Sequence, residues 1–376
     1  MASGSLALVE CFAKIEDPRI ERTRVHRLSD ILALAVLAVI AGAEGWEDIE
    51  EFGRQKQAWL KRFLRLPHGI PSHDTISRLF HALKPVAFQE ALLQWLESLH
   101  EHLGLKLVAI DGKTVRRSHD RRRMKSSLHL VCAWSVANHL VLGQQATDAK
   151  SNEITAIPEL LKMLEFKGAI ITIDAMGCQK EIARQIVDGG GDYVLAVKDN
   201  QPTLHAALQE HFTQLHESDF AASPVRRLTT RDQAHGRREQ REYYIVPLPD
   251  SLRAFRNDWK NLTSIGQAIN ITERDGRETS EVRYYILSLE SKVKPFAAAV
   301  RGHWGIENCL HWVLDVTFRE DESRIRKDHG PENFASIRRA ALSIIKRDTS
   351  KGSIKKKRKR AAWNNDALLS IVNQAT

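Results

Sequence analysis

Four cysteines in 376 residues, Cys11, Cys132, Cys178 and Cys309, are too few and too scattered for a disulfide framework or a zinc ribbon, since no two form a CxxC pair. Long apolar runs are missing as well: the longest, Ile31 to Ala43, is too short to cross a bilayer and reads as a helix buried on all sides. The N-terminal MASGSLALVECF has neither a basic n-region nor a cleavage pattern, and no basic amphipathic helix or lipidation motif offers a membrane anchor. The expected compartment is the cytoplasm, with no membrane partner. Negative charge is in deficit: 47 Asp and Glu against 56 Lys and Arg leave a net +9, which favours a polyanion as partner, nucleic acid first among them. With 43% apolar and 27% charged residues the chain has ordinary globular composition, and its length allows two or three domains.

Motifs of nucleotide and zinc enzymes are absent too. Gly112-Lys113-Thr114 looks like the end of a P-loop, but that loop's first glycine falls where Leu107 stands. His303, Glu307 and His311 recur every fourth residue and share one helix face. A zinc protease needs two histidines one turn apart with glutamate next to the first; here they are two turns apart. Gly189 to Gly191 lacks GxGxxG spacing and reads as a link from helix to strand.

What is present begins with helices. Ser29 to Ala43 is almost wholly apolar, and Trp46 to Leu66 carries aromatic and aliphatic residues at helical spacing as its amphipathic cover. Pro67, Gly69 and Pro71 break the chain, and Ser72 stands as the N-cap of HDTISRLFHAL. That helix is either a DNA-reading helix, presenting Ser72, His73, Thr75 and Arg78, or a plain member of a bundle, the break being longer than a helix-turn-helix usually has. Phe88 to Leu103 completes a helical domain over residues 1–104. From Leu105 strands take over: Leu107 to Ile110, Leu128 to Val136 and Leu140 to Gln144 form a meander. Helix Glu153 to Leu164, strand Ala169 to Ile173, helix Lys180 to Asp188, strand Tyr193 to Val197 and a helix after Pro202 follow. The order βββαβαβα in an α/β chain matches a ribonuclease H-like core, a mixed sheet flanked by helices. Residues 221–290 read as a β-rich insertion, and Phe296 to Phe318 as a return to helix. The block KKKRKR, Lys355 to Arg360, is a solvated tail or a phosphate contact, ahead of a short C-terminal helix.

Two apolar runs end in aspartate: LVAI leads to Asp111 and AIITI to Asp174. Asp111-Gly112 alone could be a turn; the repetition of the device suggests a metal site at one edge of a sheet. Phosphodiester chemistry needs an activated oxygen nucleophile and charge relief at the leaving oxygen, and two divalent ions supply both. Such ions want carboxylates: Asp111 bridging them, Asp174 and Glu307 completing either side. Glu307 is preferred over Glu320, Asp321 and Glu322 because it lies on an apolar, aromatic helix, whereas those three sit in a charged stretch expected to be solvated. Lys113, Arg116, Arg117 and Lys198 are near enough to the strand ends to hold phosphates.

AIDGKTVRRS, TIDAMGCQ, YVLAVKDNQ and RGHWGIENCLHWVLDVTFREDESR together resemble the DDE-type insertion-sequence transposases, in the branch that includes the H-repeat-associated proteins of Rhs elements. The resemblance spans nearly the whole chain. It implies a helical N-terminal associated domain, a ribonuclease H-like catalytic domain over 105–346 with its insertion between the second and third carboxylates, and a basic tail over 347–376. It also implies a triad of Asp111, Asp174 and Glu307, two Mg²⁺ or Mn²⁺ ions, double-stranded DNA as partner, and a homodimer on DNA. The spacing suits an insertion, with 63 residues from Asp111 to Asp174 and 133 from there to Glu307. Relatives outside this branch carry Arg four residues before the glutamate and Lys seven after; here His303 and Leu314 hold those places. Arg301, His303 or Arg324 are the expected substitutes at phosphate, and Trp304 is either a stacking platform for a displaced base or a core residue.

Overall fold

The computed structural model describes residues 6–99, 104, 106–119, 126–147, 153–221, 224–234 and 236–373. Six helices open the chain: α1 (Ala7–Phe12), α2 (Leu28–Ala41), α3 (Trp46–Gln55), α4 (Gln57–Leu60), α5 (His73–Ala82) and α6 (Pro85–Ser98). The expected single helix from Trp46 to Leu66 is broken at Lys56, and the expected extension of α6 to Leu103 lies outside the described residues. Every residue of α2 from Leu28 to Ile40 is buried, as an all-round apolar helix must be. Its one acid, Asp30, accepts a hydrogen bond from the Leu66 backbone N–H at 2.9 Å. Among the described residues no single helix is long and apolar enough to cross a membrane.

Among the described residues, nine strands form one sheet: β1 (Leu107–Thr114), β2 (His129–Ser135), β3 (Leu140–Thr147), β4 (Ile170–Ile173), β5 (Asp192–Val197), β6 (Arg226–Ala234), β7 (Arg237–Pro247), β8 (Ser264–Arg274) and β9 (Arg277–Leu287), in the order β3-β2-β1-β4-β5-β9-β8-β7-β6. The first three are antiparallel, while β4 and β5 run parallel to β1, giving the ribonuclease H-like order. The crossovers are α7 (Glu153–Lys162) and α8 (Lys180–Asp188), and α9 (Pro202–Glu217) leads to the insertion. The four insertion strands do not stand apart: β9 pairs antiparallel with β5, from Val194 opposite Leu287 to Val197 opposite Tyr284, so the meander extends the core sheet.

Helix α10 (Val293–Ile306) then lies across this sheet. Two glycines permit the close approach: a Cβ on Gly302 would stand 2.4 Å from a methyl of Leu107 on β1, and one on Gly266 of β8 would stand 2.6 Å from the Phe296 ring. A π-helical turn, Glu307–His311, joins α10 to α11 (Trp312–Val316). The chain closes with α12 (Gly330–Arg347), α13 (Ile354–Trp363) and α14 (Asn365–Val372). The N-terminal helices and the sheet share α12 as a common wall. Asn333 donates to the Phe80 and Leu83 carbonyls at the end of α5, at 2.8 and 2.9 Å, while Gln144 of β3 donates to Ser336 at 2.9 Å.

Two charged stretches depart from expectation. KKKRKR is helix, and Lys357 and Arg358 are buried. Arg358 stacks on Phe318 at 4.1 Å and donates to the carbonyls of Thr317 and Val39, the latter an end carbonyl of α2 that the Gly42 N–H also reaches, at 3.2 Å. Glu320, expected in a solvated loop, is fully buried opposite Arg339 of α12, with an N–O distance of 2.7 Å.

Candidate active site

Strand β1 does not end at Asp111: it continues through Gly112 to Thr114, so the Asp-Gly step is no turn. What ends there is the parallel pairing. β1 and β4 are in register from Leu107 opposite Ile170 to Ile110 opposite Ile173, a constant offset of 63 residues, which makes Asp111 and Asp174 the next equivalent positions on neighbouring strands. Asp174 leaves the strand in a turn of its own, its Oδ1 accepting the Met176 and Gly177 backbone N–H groups at 3.1 and 3.3 Å. The π turn brings Glu307 over the same strand ends. Asp111, Asp174 and Glu307 all line one cavity of about 520 Å³, walled by β4, β5, β9 and α10.

The electrostatics are those of a cluster of acids. Burial first, then the charges of Glu307 and Asp174, push the Asp111 carboxyl up to about 8. Glu307, beside His311 and half open to solvent, is held below the usual carboxylate range. Without a cation the cluster therefore retains a proton on Asp111, and a bound divalent ion would relieve the repulsion that keeps it there. The donor set fits such an ion: oxygen or nitrogen atoms of Asp111, Glu307 and His311 lie within 4.8 Å of one another. Asp174 shares the cavity but stands outside that tight group.

Of the residues expected near DNA, Lys198, His303 and Trp304 line the cavity. His303 shares a hydrogen bond with Thr172 at 3.1 Å; burial and the Arg283 charge hold its imidazole down at about 4, so it carries no charge at neutral pH. The Trp304 ring faces the cavity with the Arg283 guanidinium over it at 4.6 Å. Lys113 is a correction. It shares a strand face with Asp111, as residues two apart do, but points to an acidic group: the partly buried Asp315 at 2.7 Å and Asp321 at 3.3 Å, and the buried Glu320 at 4.0 Å. At 8% exposure and so paired, it has no reach to a phosphate.

Arg116 and Arg117 are exposed, Arg116 pairing with Asp321 at 3.2 Å, and Arg324 is exposed in the following loop. None of these three lines the cavity. Arg301 faces the insertion, where its charge acts on Asp232. Ser72, Thr75 and Arg78 lie at the start of α5, with Ser72 capping the helix through the Thr75 N–H at 3.3 Å, far in sequence from the carboxylates. Two residues of the site were missed from sequence: Arg283, which lines the cavity, and His311, which stands beside Asp111 and Glu307. Arg283 sits among ordinary strand residues with no local mark. His311 did carry a signal, its four-residue spacing from Glu307, but that spacing was weighed only against a zinc protease.

Comparison with known proteins accords with this architecture. Residues 102–344 match the family described as Transposase DDE domain, and residues 9–96 match its DDE_Tnp_1-associated partner. YhhI of Escherichia coli strain K12, named as an H repeat-associated candidate transposase, is 41% identical over 97% of this chain and 97% of its own. YncI of Escherichia coli O157:H7, likewise named as a candidate transposase, is 42% identical over 95% of this chain and 92% of its own. A piggyBac transposase, solved as a synaptic complex with hairpin DNA, is far more distant: 10% identity and a TM-score of 0.42 over 98% of this chain and 77% of that one. With a matching model across most of its length and full-length relatives at this identity, the chain belongs to the DDE transposases of insertion sequences.

Proposed function

We propose that this protein binds the ends of an insertion-sequence element in double-stranded DNA, cuts strands there in a reaction dependent on Mg²⁺ or Mn²⁺, and joins the freed 3′-hydroxyl to target DNA. The observation that carries the reading is the convergence of Asp111, Asp174 and Glu307 on one cavity, with the Asp111 carboxyl raised by burial and by the other two acids. Two divalent ions held by these carboxylates would activate the attacking oxygen and neutralise the leaving one. Asp111, Asp174 and Glu307 would be the carboxylates that hold these ions, with Asp111 between the other two acids. Lys198 at the cavity mouth is the phosphate contact within the site, with Arg116, Arg117 and Arg324 guiding the backbone along its rim. Trp304, backed by Arg283, is the surface on which a displaced base stacks. Residues 1–104 act as the associated domain, with Ser72, Thr75 and Arg78 as DNA contacts. Residues 105–346 carry the chemistry, with the insertion at about 221–290, and residues 347–376 close the chain. Pairing two element ends calls for a homodimer on DNA, and the work is cytoplasmic.

The test separates binding from chemistry. Glu307→Gln keeps shape but removes the charge that holds an ion, so gel-shift affinity for end-containing DNA should stay within about twofold of wild type while strand cleavage falls by orders of magnitude. Chelation of divalent ions should act on the unmodified protein in the same way. Near-normal cleavage by Glu307→Gln, with loss in Asp321→Asn, would move the third carboxylate into the neighbouring loop.

A further inference from the structure

Most of the charged groups around the catalytic cavity find a use in the proposed reaction, but His311 does not. It is 4% exposed, which is unusual for a histidine facing two acids, and its Nε2 has no hydrogen-bond partner among the described residues. Its Nδ1 stands 3.5 Å from Asp111 Oδ2 and 3.5 Å from Glu307 Oε2. That distance is the outer limit of a hydrogen bond to either oxygen. A buried Nδ1 so weakly bonded costs stability unless something else engages it. The π turn is what aims it: Glu307 and His311 are its first and last residues, and such turns are frequent at functional positions.

We infer that His311 Nδ1 is a nitrogen ligand to the divalent ion shared by Asp111 and Glu307, so that this one position takes Mn²⁺ in preference to Mg²⁺. The inference rests on the metal-dependent reading above. Three donors spaced as these are can close around one ion: two ligands each about 2.2 Å from a common centre stand about 3.1 Å apart at a right angle and about 3.6 Å at 110°. Mg²⁺ is hard, prefers oxygen and gives up water reluctantly, whereas Mn²⁺ accepts imidazole along with carboxylate. A site of two carboxylates and one imidazole therefore discriminates between the two ions in a way that three carboxylates would not. The competing account is an imidazolium held between two carboxylates for structure alone; it predicts no bond from nitrogen to metal.

The experiment uses the full-length protein without DNA and Mn²⁺ as probe. Titration followed by the electron paramagnetic resonance of free Mn²⁺ gives affinity, and pulsed resonance of the bound ion reports whether a ¹⁴N nucleus is directly coordinated. Wild type should show ¹⁴N coupling. His311→Gln should lose it, weaken Mn²⁺ binding about tenfold or more, and leave Mg²⁺ competition within about threefold. The wild-type spectrum needs no variant, so a misfolded His311→Gln cannot hide the answer. Absence of ¹⁴N coupling on an ion whose binding is abolished by Glu307→Gln would overturn the inference while sparing the carboxylate site. Mn²⁺ binding indifferent to Glu307→Gln, or no binding at all, would sink both. Coupling that persists in a folded His311→Gln would assign the nitrogen elsewhere and refute the role of His311.

Discussion

Removing one partner of the Glu320–Arg339 pair should be among the most destabilising single changes in this protein. Both side chains are buried, at 0% and 2% exposure. Arg339 Nη1 lies 2.7 Å from Glu320 Oε1 and also donates to the Ala335 carbonyl at 3.2 Å, while Nε points at Cys132 Sγ at 3.3 Å. In Glu320→Leu the guanidinium keeps only those neutral partners, and an interior cation so stranded costs about 3–5 kcal/mol. Against a total stability of about 5–15 kcal/mol that is a large share. Replacing both residues with apolar ones of similar volume removes the stranded charge along with its partner, so Glu320→Leu with Arg339→Met should recover most of the loss. Urea unfolding of the four proteins in the double-mutant cycle gives the coupling directly. A Glu320→Leu protein within about 1 kcal/mol of wild type would refute the reasoning. pH supplies a second arm. Burial acts to raise the Glu320 carboxyl, but Arg339, Lys113 and Arg338 outweigh it and hold the group below its ordinary value. A depressed folded value means the contribution is complete above the unfolded value, roughly 4.3, and is lost as pH falls through the folded one. Glu320→Gln should accordingly flatten the acid limb of the stability curve.

Two more predictions concern the first strand, and a third the loop that carries Arg324. A Cβ at Gly112 would stand 2.4 Å from Glu153 Oε1 and 2.7 Å from His129 Nε2, a pair itself bonded at 2.7 Å, so Gly112→Ala should cost about 1–3 kcal/mol in urea unfolding despite alanine's better strand propensity, and should weaken Mn²⁺ binding by displacing Asp111. Lys113→Met should leave the salt dependence of DNA binding unchanged, whereas Arg324→Ala should lower the slope of log affinity against log salt by about one, as loss of a single phosphate contact does. Equal slopes for Arg324→Ala and wild type would remove Arg324 from the DNA rim.

Much of the fold was legible because it depends on local pattern. Helix Lys180–Asp188 runs between the residues its periodicity marks, and the succession of strands and helices follows from runs of apolar residues broken by glycine and proline. What failed depends on partners remote in sequence. The insertion reads correctly as β-rich, yet nothing in REYYIVPL or VRYYILSL says that β9 will pair with β5 and extend the core sheet. Glu320 looks solvated among its charged neighbours because Arg339 lies a full helix away. Arg358 looks like tail because the ring and carbonyls that bury it belong to Phe318, Thr317 and Val39.

The same distinction orders the three carboxylates. Asp111 and Asp174 are set by backbone register: with parallel strands in register at an offset of 63 residues, any carboxylate that follows one paired run must lie beside the carboxylate that follows the other. A pattern of two apolar runs, each ending in aspartate, therefore already contains their proximity. Glu307 depends instead on how a helix lies over the sheet. Its height over β1 is set where Gly302 meets Leu107, and its tilt where Phe296 meets Gly266. The turn that carries it is π rather than α. Each of these is a packing outcome, and the histidine one turn beyond Glu307 depends on all of them. His311 thus becomes interpretable only once α10 is seated: in sequence it is one member of a motif that fails, and in the folded chain it is a buried ring nitrogen facing two acids.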